Sequence, residues 1–286
     1  MADNLTVETD THGGHRQGLC NPDTVIPDST PDGEYYEYTP NLTATQKYLW
    51  DLRETNIRTL VEWTKDERLD YLHAGDQTQG NKYMSELVST ATHAQVFIAM
   101  ANSDPILKLT NLNAARFVHG TQAHEFGEGT TGHLLQQMYA EKYPDKNIKL
   151  AWHYLLDFNG LTVDLAHHGP FPGSRSWLKG NVARYYLQSH MMAELLAGKE
   201  PPKLYLRGHY HEEVWETVRI KTNGKWHIST IMVIPSMCGM GVYGRQATRS
   251  APKVTNGMVM IKHEDGNILD ARWETKTLDI RTKEML

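Results

Sequence analysis

The sequence predicts one α/β domain over residues 1–286, in which two mixed β-sheets pack face to face with helices outside. Strand and helix patterns alternate through the first part of the chain, whereas the last part is mostly β, with hairpin turns at Asn223-Gly224 and near Asp265-Gly266. The 286 residues are 40% hydrophobic, enough to bury a sizeable core. We find no repeat, linker or low-complexity block that would divide the chain.

In the first half of the chain, segments with the periodicity of strands alternate with segments with the periodicity of helices. "NLTVETD" predicts a strand, and the Pro-, Asp-, Thr- and Tyr-rich segment 13–40 that follows is either a lid over a cleft or a packed excursion. Apolar residues at helical spacing then predict a helix over 43–65 with Thr43 as its cap. Further along, we expect strands at 68–76 and 114–120, and helices at 84–101 and 131–143.

The second half is richer in hairpins. Residues 149–169 predict one hairpin that turns at Asn159-Gly160, a dipeptide typical of tight β-turns. A helix is expected over 174–198, ending at Gly198, and a strand over 202–211.

Composition limits the classes of function. The formal net charge of −5 gives no global electrostatic basis for nucleic-acid binding. Two cysteines form neither a disulfide framework nor a zinc–thiolate set, and no apolar run is long enough for a membrane span. The N-terminus lacks the pattern of a signal peptide, so we expect a cytoplasmic protein without membrane contact. The 15 histidines are the clearest compositional signal, because imidazole is the commonest metal ligand near neutral pH.

Five polar clusters share one placement, directly after a predicted strand. In open α/β sheets, ligands bind beyond the carboxyl ends of the strands, so these loops are expected to converge on one crevice. The clusters are Asp10-Thr11-His12, Gly75-Asp76, "GTQAHE" at 120–125, His167-His168, and "GHYH" at 208–211.

The residue types in these clusters indicate metal chemistry. Carboxylates combined with neutral imidazoles suit divalent Mn, Fe, Zn or Ni, whereas Mg and Ca prefer shells of oxygen. A carboxylate can also bridge two ions about 3.5–4 Å apart, the spacing of two-metal phosphoryl-transfer sites.

The order of the motifs, Asp-x-His, Gly-Asp, Gly…His-Glu, His and Gly-His-x-His, resembles that of the calcineurin-like metallophosphoesterase superfamily. The resemblance runs from Asp10 to His211, and the opening "DTHGGHRQGLCNPD" is most similar to bacteriophage-encoded members. It implies the metallo-dependent phosphatase fold, a four-layer α/β/β/α sandwich. For a phage-encoded protein, the expected compartment is the host cytoplasm.

The resemblance also implies an activity: hydrolysis of phosphodiesters or phosphomonoesters by a hydroxide that bridges two divalent metal ions, among which Mn is favoured. Nucleotides or nucleic acids are then candidate substrates, and the oligomeric state is left open. The roles that it implies are Asp10, His12 and His211 on one metal, Asp76 bridging both, His167 and His209 on the second metal, and His124 beside the phosphate as proton donor or charge stabiliser.

Two motifs depart from the family pattern. Where most members have Gly-Asn-His, this chain has "GTQAHE", so Thr121, Gln122, His124 or water must replace the Asn ligand. The Gly-Asp motif ends "GDQTQGN" and lacks the Arg that serves as a phosphate clamp in protein phosphatases, which argues against a protein substrate.

Two further histidines are secondary candidates for metal or substrate binding. Adjacent strand residues point to opposite faces, so His168 is expected to be a structural neighbour of the ligand, and the resemblance implies that the first position, His167, is the ligand. His15 is a weaker candidate for contact with the substrate.

Three alternatives accompany the phosphoesterase hypothesis. A DNA or RNA nuclease of the same superfamily is one, although the negative net charge disfavours it. A catalytically weak metal-binding scaffold is another, and the altered third motif is the feature that favours it. The third is an amidohydrolase-type hydrolase, which would open with His-x-His and form a regular barrel. The Asp-x-His opening and the β-rich last third of this chain disfavour it.

Overall fold

The computed structural model describes residues 3–171, 178, 180–247 and 251–284. Its helices are α1 (Ala44–Thr64), α2 (Thr92–Leu107), α3 (Thr130–Lys142), α4 (Asn181–Leu196) and α5 (Val242–Ala247). Its strands are β1 (Asp3–Glu8), β2 (Ile26–Ser29), β3 (Tyr35–Tyr38), β4 (Leu69–His73), β5 (Leu112–Val118), β6 (Asn147–Ala151), β7 (His153–Phe158), β8 (Leu161–Ala166), β9 (Leu204–Arg207), β10 (Val214–Thr222), β11 (Lys225–Val233), β12 (Lys253–Glu264) and β13 (Asn267–Asp279).

Two large sheets are both mixed, as predicted. The six-stranded sheet has the order β13-β12-β1-β4-β5-β6, in which β1, β4, β5 and β6 run parallel and β12 and β13 are antiparallel additions. The five-stranded sheet has the order β10-β11-β9-β8-β7, with β9 parallel to both β8 and β11. A mixed α/β architecture is therefore confirmed.

Three buried clusters connect the sheets and helices. Side chains from both sheets, such as Leu5 and Val7 of β1 and Val163 of β8, meet in one fully buried cluster. Helices α1, α2 and α3 share a second cluster with the six-stranded sheet. Helix α4 packs through Leu187 and Met191 on the five-stranded sheet. The sheets therefore face each other across an apolar core, and their parallel strands deliver loops to common edges.

Helix α1 begins as the sequence predicts. The Thr43 hydroxyl accepts from the Gln46 backbone N–H, and the Gln46 side chain accepts from the Thr43 N–H. This reciprocal pair is a capping box, which satisfies two backbone donors that a helix start leaves unpaired.

Helix α2 begins at Thr92, later than the predicted start at residue 84. Residues Met84–Glu86 form one turn of 3-10 helix instead. The buried side chain of Gln95 donates to the carbonyls of Gly80 and Ser89 and accepts from the Gly80 N–H. These bonds hold the irregular segment between Gly80 and Ser89 against α2, and a helix over the same residues would break them.

The segment 149–169 is not one hairpin, because its first strand is divided between the sheets. Strand β6 pairs with β5, and after Trp152 the chain continues as β7, which pairs with β8 in the other sheet. The Trp152 ring stacks on His119 at a centroid distance of 4.1 Å, which fixes the crossing point. The turn at Asn159-Gly160 is as predicted, with φ of 50° and 87° at the two residues.

The segment 13–40 contains a short hairpin, β2 paired with β3, that the sequence analysis did not predict. Ile26 and Tyr38 pack against Ala94 and Ile98 on α2, whereas Tyr35 is 68% exposed. The hairpin therefore rests on α2, in the manner of the packed excursion. Of the predicted helix over 174–198, residues 174–177 and 179 lie outside the described residues, and α4 covers the rest up to Leu196.

Candidate metal centre

The five polar clusters follow β1, β4, β5, β8 and β9. Strands β1, β4 and β5 are parallel neighbours in one sheet, and β8 and β9 are parallel neighbours in the other. Parallel neighbours end at the same edge of a sheet, and the two sheets face each other, so all five loops reach one place.

A first group of ligand atoms comes from Asp10, His12 and His211, which lie within 4.8 Å of one another. Asp10 Oδ1 is 3.6 Å from His12 Nε2 and 3.3 Å from His211 Nε2, and the two ring nitrogens are 3.3 Å apart. The other carboxylate oxygen of Asp10 accepts from Thr9 Oγ1 at 2.7 Å and the His209 N–H at 2.9 Å. Oδ1 is buried without a hydrogen bond, so its lone pairs are free to bind a cation.

A second group comes from His167, His168 and His209. His167 Nδ1 donates to the Ala74 carbonyl at 2.7 Å, which leaves Nε2 as the outward nitrogen. This Nε2 is buried and makes no hydrogen bond, although Asp76 Oδ2 is 3.1 Å away. A backbone carbonyl that fixes the tautomer of a histidine is the usual outer support of a metal ligand.

Asp76 lies between the two groups. One of its carboxylate oxygens is within 4.8 Å of a ring nitrogen of His12 and of His124. On the other side, an oxygen of Asp76 is equally close to the ligand atoms of Asp10 and His167. Asp76 Oδ1 accepts from the Thr121 N–H at 2.7 Å, and Oδ2 faces His167. Asp76 thus groups with His12 of the first group and with His167 of the second, which is the position of a bridging ligand.

These observations test whether the residues fit metal ions. Buried polar atoms without hydrogen bonds are costly, and here Asp10 Oδ1 and His167 Nε2 are both in that state within clusters of imidazole and carboxylate. A cation would satisfy them together, and the donor set is that of divalent transition metals. The buried His and Asp groups can therefore hold a metal ion.

The backbone of the site is unusual as well. Five of the predicted ligands, namely Asp10, His12, Asp76, His209 and His211, have φ between 45° and 75°. Non-glycine residues rarely adopt this left-handed region, and it is enriched at functional sites. In the described residues, the other non-glycine positions in this region include the hairpin turns at Asn159, Asn223 and Asp265.

Two glycines allow close approach to the centre. A Cβ atom on Gly120 would lie 1.9 Å from Asp76 Oδ1, and one on Gly75, where φ is 99°, would lie 2.5 Å from His167 Nδ1. Only glycine fits at these positions, since real Cβ contacts never become so short.

The altered third motif contacts Asp76 directly. Besides its N–H, Thr121 brings its hydroxyl to 3.2 Å from Asp76 Oδ1, whereas Gln122 is exposed and belongs to none of the four groups of ligand atoms. His124 Nδ1 donates to the Gln79 carbonyl at 2.7 Å, and its Nε2 lies 3.9 Å from Asp76 Oδ2.

Glu125 holds this loop, a role that the sequence analysis missed. Its buried carboxylate accepts from the Gly120 N–H at 2.5 Å and pairs with His119 Nδ1 at 2.8 Å. The pairing of an acidic residue with a strand-end histidine six residues earlier is the signal that was present in the sequence.

Electrostatics at the centre favour ionised carboxylates. Burial raises the pKa of Asp76, but the charges of His167 and His124 lower it by more, so that the pKa lies well below its usual range. Burial lowers the pKa of His12 and of His209 to about 4, so both imidazoles are neutral at pH 7. Burial also lowers the pKa of His167, but the charge of Asp76 outweighs it and raises the value to about 9.

A cavity of about 300 Å³ opens beside the centre. His12, Asp76, His124 and His211 form its polar end, and Phe171, Tyr210 and Met240 are among its other walls. The Phe171 and Tyr210 rings are 5.4 Å apart.

His15 also lines this cavity. Its Nδ1 accepts from the Gln17 N–H at 3.1 Å, and its Nε2 lies 3.6 Å from Glu86 Oε2. His15 belongs to none of the four groups of ligand atoms, and it reaches the cavity beside them.

Among the described residues, no helix combines the length and apolar character needed to cross a membrane. Comparisons of the chain with protein-family models and with curated proteins find no match.

Proposed function

We propose that the protein is a metal-dependent phosphoesterase with a dinuclear centre. The observation that carries this proposal is Asp76, one buried carboxylate shared between two clusters of imidazole and carboxylate ligands. The proposed ligands are Asp10, His12 and His211 for the first metal, His167 and His209 for the second, and Asp76 for both. The finer assignment of the fold, a four-layer metallo-dependent phosphatase sandwich, is part of the same proposal and is supported by helices on the outer sides of two facing sheets.

Two divalent ions would supply Lewis acidity and a nucleophile at neutral pH. The chain itself supplies position and charge. Asp76 is held by Thr121 and stays ionised, and His124 is oriented by the Gln79 carbonyl with Nε2 toward the centre. As an imidazolium, with protons on both ring nitrogens, His124 can donate a hydrogen bond or a proton from Nε2 to the phosphoryl group or its leaving oxygen.

The size and the walls of the cavity favour a small substrate. Its volume of about 300 Å³ is at the lower end of small-molecule sites, and its aromatic walls suit a flat organic group attached to the phosphate. A nucleotide has these features. Mn, Fe, Zn and Ni all suit the donor set.

The test combines metal analysis with turnover. We would purify the protein without chelator, measure bound metals, and compare hydrolysis of bis-p-nitrophenyl phosphate and p-nitrophenyl phosphate with added Mn²⁺. Asp76→Ala is the test variant, and His93→Ala, an exposed histidine on α2, is the matched control.

We expect two metals per chain, turnover of at least one ester, and loss of turnover in Asp76→Ala alone. The preferred ester then separates diesterase from monoesterase activity. Metal binding without turnover of either ester contradicts the proposal and favours the metal-binding scaffold.

A further inference from the structure

We infer that His168 is an additional ligand of the second metal and gives that site three imidazoles. The inference rests on the proposed dinuclear centre and assigns the position that the altered third motif leaves open. It differs from the sequence-based expectation, in which His167 alone of this pair is a ligand.

The backbone explains why both histidines reach the centre. Strand β8 ends at Ala166, so His167 and His168 lie beyond the last strand residue. The rule that neighbouring side chains point to opposite faces holds only within a pleated strand. Freed from the pleat, the two rings turn to the same side, and their centroids are 4.9 Å apart.

The three rings form a closed set. The centroid of His168 is 4.8 Å from that of His209, and the centroids of His167 and His209 are 5.1 Å apart. One nitrogen from each ring lies within 4.8 Å of the other two. The nitrogens of three imidazoles converge on one place, and one of them, His167 Nε2, is buried without a hydrogen bond, so the three rings form a donor set that a cation can join.

The other candidates for this position are engaged elsewhere. The N–H and the hydroxyl of Thr121 both donate to Asp76. Gln122 is exposed and lies outside every group of ligand atoms. His124 groups with His12 and Asp76, on the side of the first metal. Among the described residues, His168 alone of these four groups with both His167 and His209.

The donor set determines which metal the second site prefers. With three imidazoles and the shared carboxylate of Asp76, it is richer in nitrogen than the first site, which has two imidazoles and two carboxylates. Imidazole suits Zn, Ni and Fe, whereas Mn prefers carboxylate and water. The second site is therefore expected to take Zn²⁺ in preference to Mn²⁺, and this preference depends on His168.

The test reads metal binding directly and needs no substrate. Metal-free protein is titrated with Zn²⁺ against a chromophoric chelator, and bound metal is counted after dialysis. Wild type is compared with His168→Ala, with His168→Asn, which offers an amide oxygen, and with the control His93→Ala. His168 is exposed, so its replacement leaves the core intact, which circular dichroism verifies.

We expect two Zn²⁺ sites in wild type and in His93→Ala. In His168→Ala one site weakens by about tenfold or more while the other keeps its affinity. His168→Asn is expected to hold two metals with a smaller preference for Zn²⁺ over Mn²⁺. Two sites in His168→Ala with affinities within about twofold of wild type overturn the inference.

Metal binding and turnover separate this inference from the proposed function. If wild type binds two metals in a His168-dependent way but hydrolyses no phosphoester, the ligand assignment stands and the phosphoesterase proposal fails. If turnover is present and His168→Ala binds both metals normally, the phosphoesterase proposal stands and the assignment of His168 fails.

Discussion

At the scale of single residues, Thr121 connects the altered third motif to the centre. Its N–H and hydroxyl both reach Asp76 Oδ1, so the loop supports the shared carboxylate even without an Asn. Outer partners of this kind typically change metal affinity by about 10–100-fold when removed.

Thr121→Val tests this support, because it removes the hydroxyl and keeps the backbone N–H. We expect metal affinity to fall by about tenfold, at the lower end of that range, since the stronger bond remains. Chelator competition measures the effect, with the exposed Thr55→Val as control. Unchanged affinity would show that the hydroxyl contributes nothing to the centre.

His124 allows a prediction that separates catalysis from metal binding. If it acts on the phosphoryl group, His124→Ala lowers kcat by about 10²–10⁴-fold, the usual contribution of a positioned acid or base. Bound metal should stay at the wild-type level, because all of the proposed metal ligands remain. Steady-state kinetics and metal analysis of the same preparation check both, and loss of a metal would make His124 a ligand instead.

At the scale of elements, a buried ion pair connects α1 to β1. Arg53 donates to both oxygens of Glu8, at 3.0 and 3.2 Å, and the Tyr71 hydroxyl of β4 donates to the same carboxylate. Burial raises the pKa of Glu8, but Arg53, His73 and Tyr71 together lower it below its usual value. Glu8 therefore remains charged inside the protein.

Breaking this pair should be costly. Arg53→Met is expected to lower the free energy of unfolding by about 3–5 kcal/mol, because it leaves a buried charge without its partner. The double variant Glu8→Gln with Arg53→Met should lose less than the sum of the single changes. Urea denaturation in EDTA measures this cycle.

The pair Arg184–Glu216, whose arginine is exposed, provides the matched control. We expect Arg184→Met to change stability by less than about 1 kcal/mol, as is usual for surface ion pairs. A similar cost at both positions would mean that burial does not govern the effect of the Arg53 substitution.

The sequence predicts elements well where the signal is local. The Thr43 cap, the turn at Asn159-Gly160 and the polar residues after β1, β4 and β9 all depend on a few adjacent residues. The late start of α2 depends instead on Gln95 bonding back to Gly80, and the division at Trp152 depends on a ring contact with His119.

The same distinction applies within the candidate site. Motif spacing pointed to Asp10, Asp76 and His211, and the structure brings them together. The direction of His168 could not be predicted, because a one-residue difference in where β8 ends reverses the side to which a ring points. For Glu125 the spacing from His119 was a signal, but the pairing itself appears only in the folded loop.

At the scale of the whole molecule, stability should depend on pH in opposite senses on either side of neutrality. Burial lowers the pKa of His73, as of His12 and His209, to about 4, whereas an unfolded histidine titrates near 6.5. Between these values the unfolded chain binds more protons, so the metal-free protein loses stability as pH falls from 6.5 toward 4.

His167 acts in the other direction. Because its folded pKa is about 9, its contribution is complete below pH 6.5 and is lost as pH rises through 9. Thermal unfolding in EDTA should therefore show a maximum near neutral pH.

Metal should change only one side of this profile. A metal ligand must be unprotonated, so with Zn²⁺ bound the alkaline decline due to His167 disappears, while the acidic decline remains because protons compete with the metal. Melting curves from pH 5 to 9, with EDTA or with Zn²⁺, check this. An alkaline decline of equal size in both would exclude His167 as a ligand.

The left-handed backbone at five of the proposed ligands has a consequence for how the chain tolerates change. Such conformations cost about 1–2 kcal/mol for a residue with a side chain, and glycine avoids that cost. His211→Gly is thus expected to exceed His211→Ala in metal-free unfolding free energy by about 1 kcal/mol, measured by urea denaturation. At these positions folding alone would favour glycine, asparagine or aspartate, so His12, His209 and His211 are expected to be retained for what they bind. A descendant released from that selection would lose its histidines here first, and would become more stable as it lost them.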